Sequence, residues 1–325
     1  MRNLYYLFLF VCSSTYAQEL STSRDSLEHQ KFLTLCNANR EQSYVTFGQG
    51  VGNLERLLFE ARLSPSFFFS NRKTTWAVML NPQVIVRMQN KPSFPINSPS
   101  YRVHLTYFHS IDILKRTFLK RILYDNSIWL ASISHHSNGK AGDFYLKDTT
   151  ANVIDVENGS FSTDFASFGI STFKVRQRAN DMNAFQSAKA FIEIHPRPLE
   201  TSEIKYRYGN YRIFASWAVG GPWQPVKKTW VNEWLQNSGI ELQAGWVAGK
   251  IKGTSEVDVR ARLILDLKYN FYPPWFDEIA FFLRFYRGQD YYNIYFSNTA
   301  YNVSFGLTSN IMNLKQAVKT LRRKH

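Results

Sequence analysis

The stretch Val257-Asp258-Val259-Arg260-Ala261-Arg262-Leu263-Ile264-Leu265-Asp266-Leu267-Lys268 decides the fold class. Val257, Val259, Ala261, Leu263, Leu265 and Leu267 fall on one side of an extended chain, and Asp258, Arg260, Arg262, Ile264, Asp266 and Lys268 on the other. Successive strand side chains point to opposite faces, so this period of two makes one apolar and one charged face. The next segment repeats it, with Ile279, Phe281, Leu283 and Phe285 set against Glu278, Arg284 and Tyr286. The same alternation runs over 74–90, 101–109, 127–137, 161–175, 187–195, 203–217, 240–252 and 301–311, and more weakly near 42–49 and 64–70. Segments of about ten residues exceed the five or six usual in a soluble sandwich.

Working outward, the N-terminus sets the compartment. Arg2 precedes the apolar run Leu4 to Cys12, and Thr15-Tyr16-Ala17 ends in a small residue before Gln18. That run is too short to span a bilayer as a helix and reads as a cleavable export signal over 1–17. Val11 stands where a lipidated Cys12 would need a small residue. Cleavage leaves Cys36 alone, so the mature chain has no internal disulfide. No later segment is apolar enough for a helical span, which leaves strands as the crossing elements, since a barrel strand gives only half its residues to lipid. Aromatics gather at segment ends, in Phe271-Tyr272-Pro273-Pro274-Trp275-Phe276 and Tyr291-Tyr292, as interfacial girdles do. The formal charge of +14 is scattered along strands and turns. With export, that distribution argues against nucleic acid and for anionic headgroups as counter-charges. The reading is an all-β transmembrane antiparallel β-barrel of about twelve strands in the outer membrane. It divides into the signal, an N-terminal periplasmic segment with the first strand over 18–62, a barrel over 63–312 and a basic tail over 313–325. Within 18–62, Leu54, Leu57, Leu58 and Ala61 have helical spacing and predict a short helix or an ordered turn.

The segment from Ile128 to Ser137 carries chemistry. Trp129, Ala131, Ile133, His135 and Ser137 share the outward face, so His135 and Ser137 point the same way and His136 points into the lumen. Polar groups on a lipid-facing stripe are costly without partners or a task. A nucleophilic serine needs an imidazole beside it to take its proton, held in turn by a third polar group.

Ser134-His135-His136-Ser137-Asn138-Gly139 resembles the His-x-Ser-Asn-Gly signature of the outer-membrane phospholipase A family. Phe285-Tyr286-Arg287-Gly288 through Tyr295 to Asn302-Val303-Ser304-Phe305-Gly306-Leu307-Thr308-Ser309-Asn310 resembles that family's last hairpin. The resemblance implies His135 as general base, Ser137 as nucleophile and the Gly139 amide in the oxyanion hole. The family's third member is an Asn before the next strand. This chain offers Asp164, on the face of Ala166, Phe168 and Ile170, with Asn158 as the alternative. The resemblance also implies calcium and a reversible homodimer, with the Lys140 carbonyl as a ligand and Ser93 as the match for a serine donated by the second subunit. Asp143 and Asp148, with Asp155 and Glu157, add oxygen donors suited to a hard cation in the loop between Gly142 and Gly159. The implied activity is hydrolysis of glycerophospholipid acyl esters. A non-enzymatic porin-like barrel and a lipopolysaccharide acyltransferase stay open as alternatives.

Overall fold

The computed structural model describes residues 24–47, 51–70, 75–111, 123–124, 126–147, 152–177, 183–196, 203–221, 229–276 and 279–309. The expected signal over 1–17, the tail over 313–325 and Asp148 lie outside them. Twelve staves form one closed antiparallel sheet. The first two are interrupted: β1 is Tyr44–Thr46 continued by Val51–Gly52, and β2 is Leu57–Leu63 continued by Phe67–Ser70. Then follow β3 (Trp76–Gln89), β4 (Ser100–Ser110), β5 (Asn126–Ser137), β6 (Ser162–Gln177), β7 (Asn183–Ile194) and β8 (Tyr211–Gly220). The last four are β9 (Ser238–Ala248), β10 (Leu263–Phe271), β11 (Ile279–Gln289) and β12 (Thr299–Ser309). Each stave pairs with its sequence neighbours, and Tyr44↔Thr308 through Thr46↔Gly306 close the ring. Closure removes the unpaired edge that a strand could not carry into lipid.

The two faces are those the alternation predicts. Ile133, Phe168, Ile213 and Phe305 are exposed on the outer wall, while Asn81, Gln83 and Arg87 are buried inside. Arg87 shows how the interior tolerates charge: its guanidinium donates to Glu60 at 2.6 Å and to Asp290 at 2.8 and 3.0 Å. A row of outward aromatics, Trp76, Tyr107, Trp129 and Phe168, runs across β3 to β6 with ring centroids 5.2–6.2 Å apart. It lies near the end from which β1 leaves and at which β12 finishes, here called the terminal end. Ser137, eight residues along β5 from Trp129, is roughly 26 Å away at the usual strand rise. That distance carries it across the apolar band toward the loop end, where segments 90–99, 138–161 and 290–298 meet.

Three expectations are corrected. Leu54 to Ala61 is no helix: Leu57–Leu63 is part of β2, with Glu60 turned inward to Arg87 and Tyr44. The helix of this region is α1, Arg24–Ala38, inside the barrel. Phe32, Leu35 and Cys36, one turn apart, pack on Ala77, Met79, Phe108, Ile128, Leu130, Phe173 and Phe185 of the terminal half of the lumen. Burying each large apolar side chain of this kind contributes about 1.5–3 kcal/mol. Second, 203–210 forms turns, and β8 begins only at Tyr211. Third, the alternation from Val257 to Arg262 is not a strand. Asp258 caps a single helical turn, α2 (Val259–Arg262), by accepting from the Arg260 amide at 2.9 Å. Arg262 is buried and donates to the carbonyls of Val247, Gly249 and Ser255. Val247 and Gly249 flank the end of β9 at Ala248, where buried carbonyls need a donor that the ladder no longer supplies, and the arginine provides it.

Candidate active site

Antiparallel pairing of β5 with β6 sets Ser137 opposite Ser162, His135 opposite Asp164 and Ile133 opposite Ala166. Directly opposed residues share a face, so the register alone brings together two groups 29 positions apart in sequence. The His135 Nδ1–H donates to Asp164 Oδ1 at 2.8 Å. Both side chains are about half exposed, at 49% and 45%, on the outer wall. With Nδ1 engaged, Nε2 is the ring nitrogen left to exchange a proton with a hydroxyl. Ser137 follows two residues on along the same face and is partly buried. Exposed ion pairs of this kind stabilise a fold little, so the pair's place in an apolar wall calls for a chemical explanation.

Beyond Ser137 the chain leaves the sheet at Asn138, which is buried. Its Oδ1 accepts from the amides of Lys140 at 3.2 Å and Phe161 at 3.0 Å, and its Nδ2 donates to Gly159 O at 2.8 Å. One side chain thus clamps both ends of the loop from Asn138 to Phe161. Between Asn138 and the clamped Lys140 amide sits Gly139 at φ +68°, a left-handed turn that a side chain would strain. A Cβ there would also meet the Tyr101 ring at 3.2 Å. The Asn138 amide is taken by Phe161 O, while among the described residues the Gly139 amide has no acceptor. That is the condition for an amide waiting for a developing negative charge.

The loop is seated from below. Phe144 and Phe161 pack with Ile204, Tyr208, Ile294 and Phe296 in a small core at the loop end. A Cβ on Gly159 would lie 2.8 Å from Ile294 Cδ1, so the segment after β11 presses directly on the loop. That segment is tied to the lumen by Tyr292, whose carbonyl accepts from His136 Nε2 at 2.9 Å. Burial pushes the Tyr292 phenol well above its usual range and that of Tyr295 up to about 12, so both stay neutral.

The remaining candidates separate. His136 faces the lumen as expected, with Nε2 also 2.8 Å from Ser100 Oγ. Asn158 sits in an exposed turn where its amide donates to Asp155 Oδ1 at 2.9 Å, and the partner at His135 is Asp164. Ser93 lies in an exposed turn at φ 65°. Lys140 is exposed beside Gly139. Asp143 is 2.8 Å from Lys147, and raises that ammonium's pKa through a hydrogen bond and charge. Asp155 Oδ1 is occupied by the amides of Glu157 and Asn158. Calcium wants six to eight oxygens, yet among the described residues no three His, Cys, Asp or Glu converge. The clamp by Asn138 and the support from Ile294 and Tyr292 were not read from the sequence. An Asn directly before the Gly of the motif was the one available signal.

Solved structures share this architecture over nearly the whole chain. Outer membrane phospholipase A from Escherichia coli, as an active-site mutant at pH 6.1, matches with a TM-score of 0.53 at 12% identity over 90% of this chain and 100% of that one. A second Escherichia coli structure of that enzyme gives 0.51 at 11% identity, over 87% of this chain and 99% of that one. The Salmonella typhi outer membrane phospholipase, a dimer with bound calcium, gives 0.51 at 13% identity, over 90% and 100%. No protein-family model and no curated sequence matches the chain. At such identities the likeness speaks for the fold. The chain has the outer-membrane phospholipase A-like fold and is an outer-membrane β-barrel.

Proposed function

We propose that the protein is an outer-membrane acyl hydrolase that cleaves the carboxylic esters of glycerophospholipids. The observation that supports it most is the His135–Asp164 hydrogen bond of 2.8 Å, held on the lipid-facing wall two residues from Ser137. Ser137 Oγ attacks the ester carbonyl as its proton passes to His135 Nε2, and Asp164 holds the ring and stabilises the imidazolium. The Gly139 amide, fixed by Asn138, faces the oxygen that becomes negative. When the intermediate collapses, His135 returns the proton to the departing alcohol. Water then repeats the sequence on the acyl-enzyme, releasing the fatty acid and restoring Ser137. The apolar wall below, with Ile133 and Phe168 exposed, suits an acyl chain that never leaves the bilayer.

A porin-like role is less compatible, because α1 packs inside the terminal half of the lumen against β3 to β7 and narrows it. Calcium and dimerisation belong to the proposal, with the Lys140 carbonyl and Ser93 of a second copy as oxygen donors; the steps above do not pass through the ion. Purified barrel in detergent–phospholipid micelles is expected to release fatty acid and to be labelled by a sulfonyl fluoride at Ser137. An intact barrel that releases none, or labelling that persists undiminished in His135→Ala, would sink the reading. Activity is also expected to fall in excess chelator and to track the dimer. Full turnover by a monomer in chelator removes both from the account.

A further inference from the structure

Between α1 and the loop end the lumen holds a cavity of about 410 Å³, bounded by Arg40 and Gln42 on one side and by Tyr208 and Tyr291 on the other. Some of its charges are matched: Arg62 lies 2.8 Å from Glu41 and Arg284 2.7 Å from Asp266. Arg102, Lys189 and Arg212 are not, having no carboxylate within 4 Å among the described residues. Arg102 donates through Nη2 to Tyr291 O, and Arg212 through Nη2 to Tyr208 O and Gln289 Oε1. The Nε atoms of both arginines are buried without a hydrogen-bond partner among the described residues. Lys189 lies over the Phe191 ring at 4.7 Å. The carboxylates facing these three cations are Glu193, 3.8 Å from His195, which acts on all three, and Glu41, already paired with Arg62, which acts on Arg102 and Lys189.

Water can satisfy the unpartnered N–H groups but adds no negative charge, and two carboxylates facing Arg62, Arg102, Lys189 and Arg212 leave an excess of positive charge, which is costly at low dielectric. Guanidinium groups match the tetrahedral oxygens of a phosphate in a way scattered waters do not. The volume is that of a small-molecule site. We propose that this cavity binds a small multivalent oxyanion of the phosphate class, gripped by Arg102, Lys189 and Arg212. The site is independent of the esterase reading, since all three residues face the lumen and none faces the outer wall.

The test is calorimetric titration of the full barrel in non-ionic detergent with pyrophosphate, with glycerol 3-phosphate in parallel and ionic strength held constant with chloride. Saturable binding is expected, with Kd raised at least about tenfold in Arg102→Gln and Arg212→Gln. Lys252→Gln, on an exposed turn, is expected to leave it unchanged. Preference for glycerol 3-phosphate identifies a lipid-derived headgroup as the source, and preference for pyrophosphate an inorganic one. Should either arginine variant fail to give a heat-modifiable barrel, Lys189→Gln provides the same comparison. Absence of saturable heat for both anions, or a Kd that the lumen variants leave unchanged, overturns the proposal. Lipid hydrolysis measured on the same samples reports separately on Ser137.

Discussion

His135 and His136 are neighbours in sequence and opposites in circumstance. His135 stands on the outer wall, half exposed, with one ring nitrogen bonded to Asp164 and the other unengaged by it. His136 is 1% exposed in the lumen, beside Ser100 and bonded to Tyr292, and stacks edge-on against Phe161 at 4.9 Å. The same imidazole thus has a ring nitrogen left for the proposed proton transfer on one side of the sheet and holds structure on the other. The difference teaches that the pleat, more than residue type, assigns the role.

The comparison breaks if the outer face is not where the chemistry happens. Ser137→Ala and His135→Ala are each expected to lower phospholipid hydrolysis by at least about 10³-fold while the barrel stays heat-modifiable on gels. Turnover near wild type in either would end the triad reading. Removing the orienting group should cost less, so Asp164→Ala is expected to lower kcat by about 10²–10³-fold. Asp164→Asn retains measurable activity because an amide oxygen still accepts from the ring N–H. Asn158→Ala is expected to be close to wild type; if it is dead and both Asp164 variants are silent, Asn158 is the third member.

Asn138→Ala sharpens the boundary between the faces, because Asn138 is buried yet fixes the turn that carries the proposed oxyanion donor, the Gly139 amide. A fall in kcat of about 10–10²-fold with little change in KM is expected, less than the roughly 10²–10³-fold cost of removing an oxyanion donor itself. Equal losses in kcat and stability, with no change in the rate of Ser137 labelling, would reduce Asn138 to a structural residue. The smallest effect on rate belongs to His136→Ala, expected to keep activity within a few-fold. Loss of its buried hydrogen bond should lower unfolding stability by about 1–3 kcal/mol. A loss of turnover matching that of His135→Ala would mean that the strand phase is inverted.

What could be read from the chain followed from local periodicity. The alternation in Ile279 to Phe285 and in Tyr101 to Tyr107 survives into β11 and β4 because both flanks of each stave find partners in register. The same pattern in Val257 to Arg262 does not survive, since β9 stops at Ala248 and leaves carbonyls that Arg262 satisfies. Leu57 to Ala61 misleads in the opposite direction: helical spacing of leucines in a segment whose Glu60 is drawn inward to Arg87. The true helix carried a fair signal in Phe32, Leu35 and Cys36, but its partners are inward side chains from five different staves.

By itself the sequence determined that strands of period two cross the membrane and that His135 and Ser137 share a face, because the direction of a strand side chain depends only on its parity. The tertiary structure decided that Asp164 and not Asn158 meets His135, that Asn138 clamps the loop, and that α1 occupies the lumen. Those depend on register between strands, on hydrogen bonds closed over long loops and on the space left inside a ring once it has closed. None of these has a local signature.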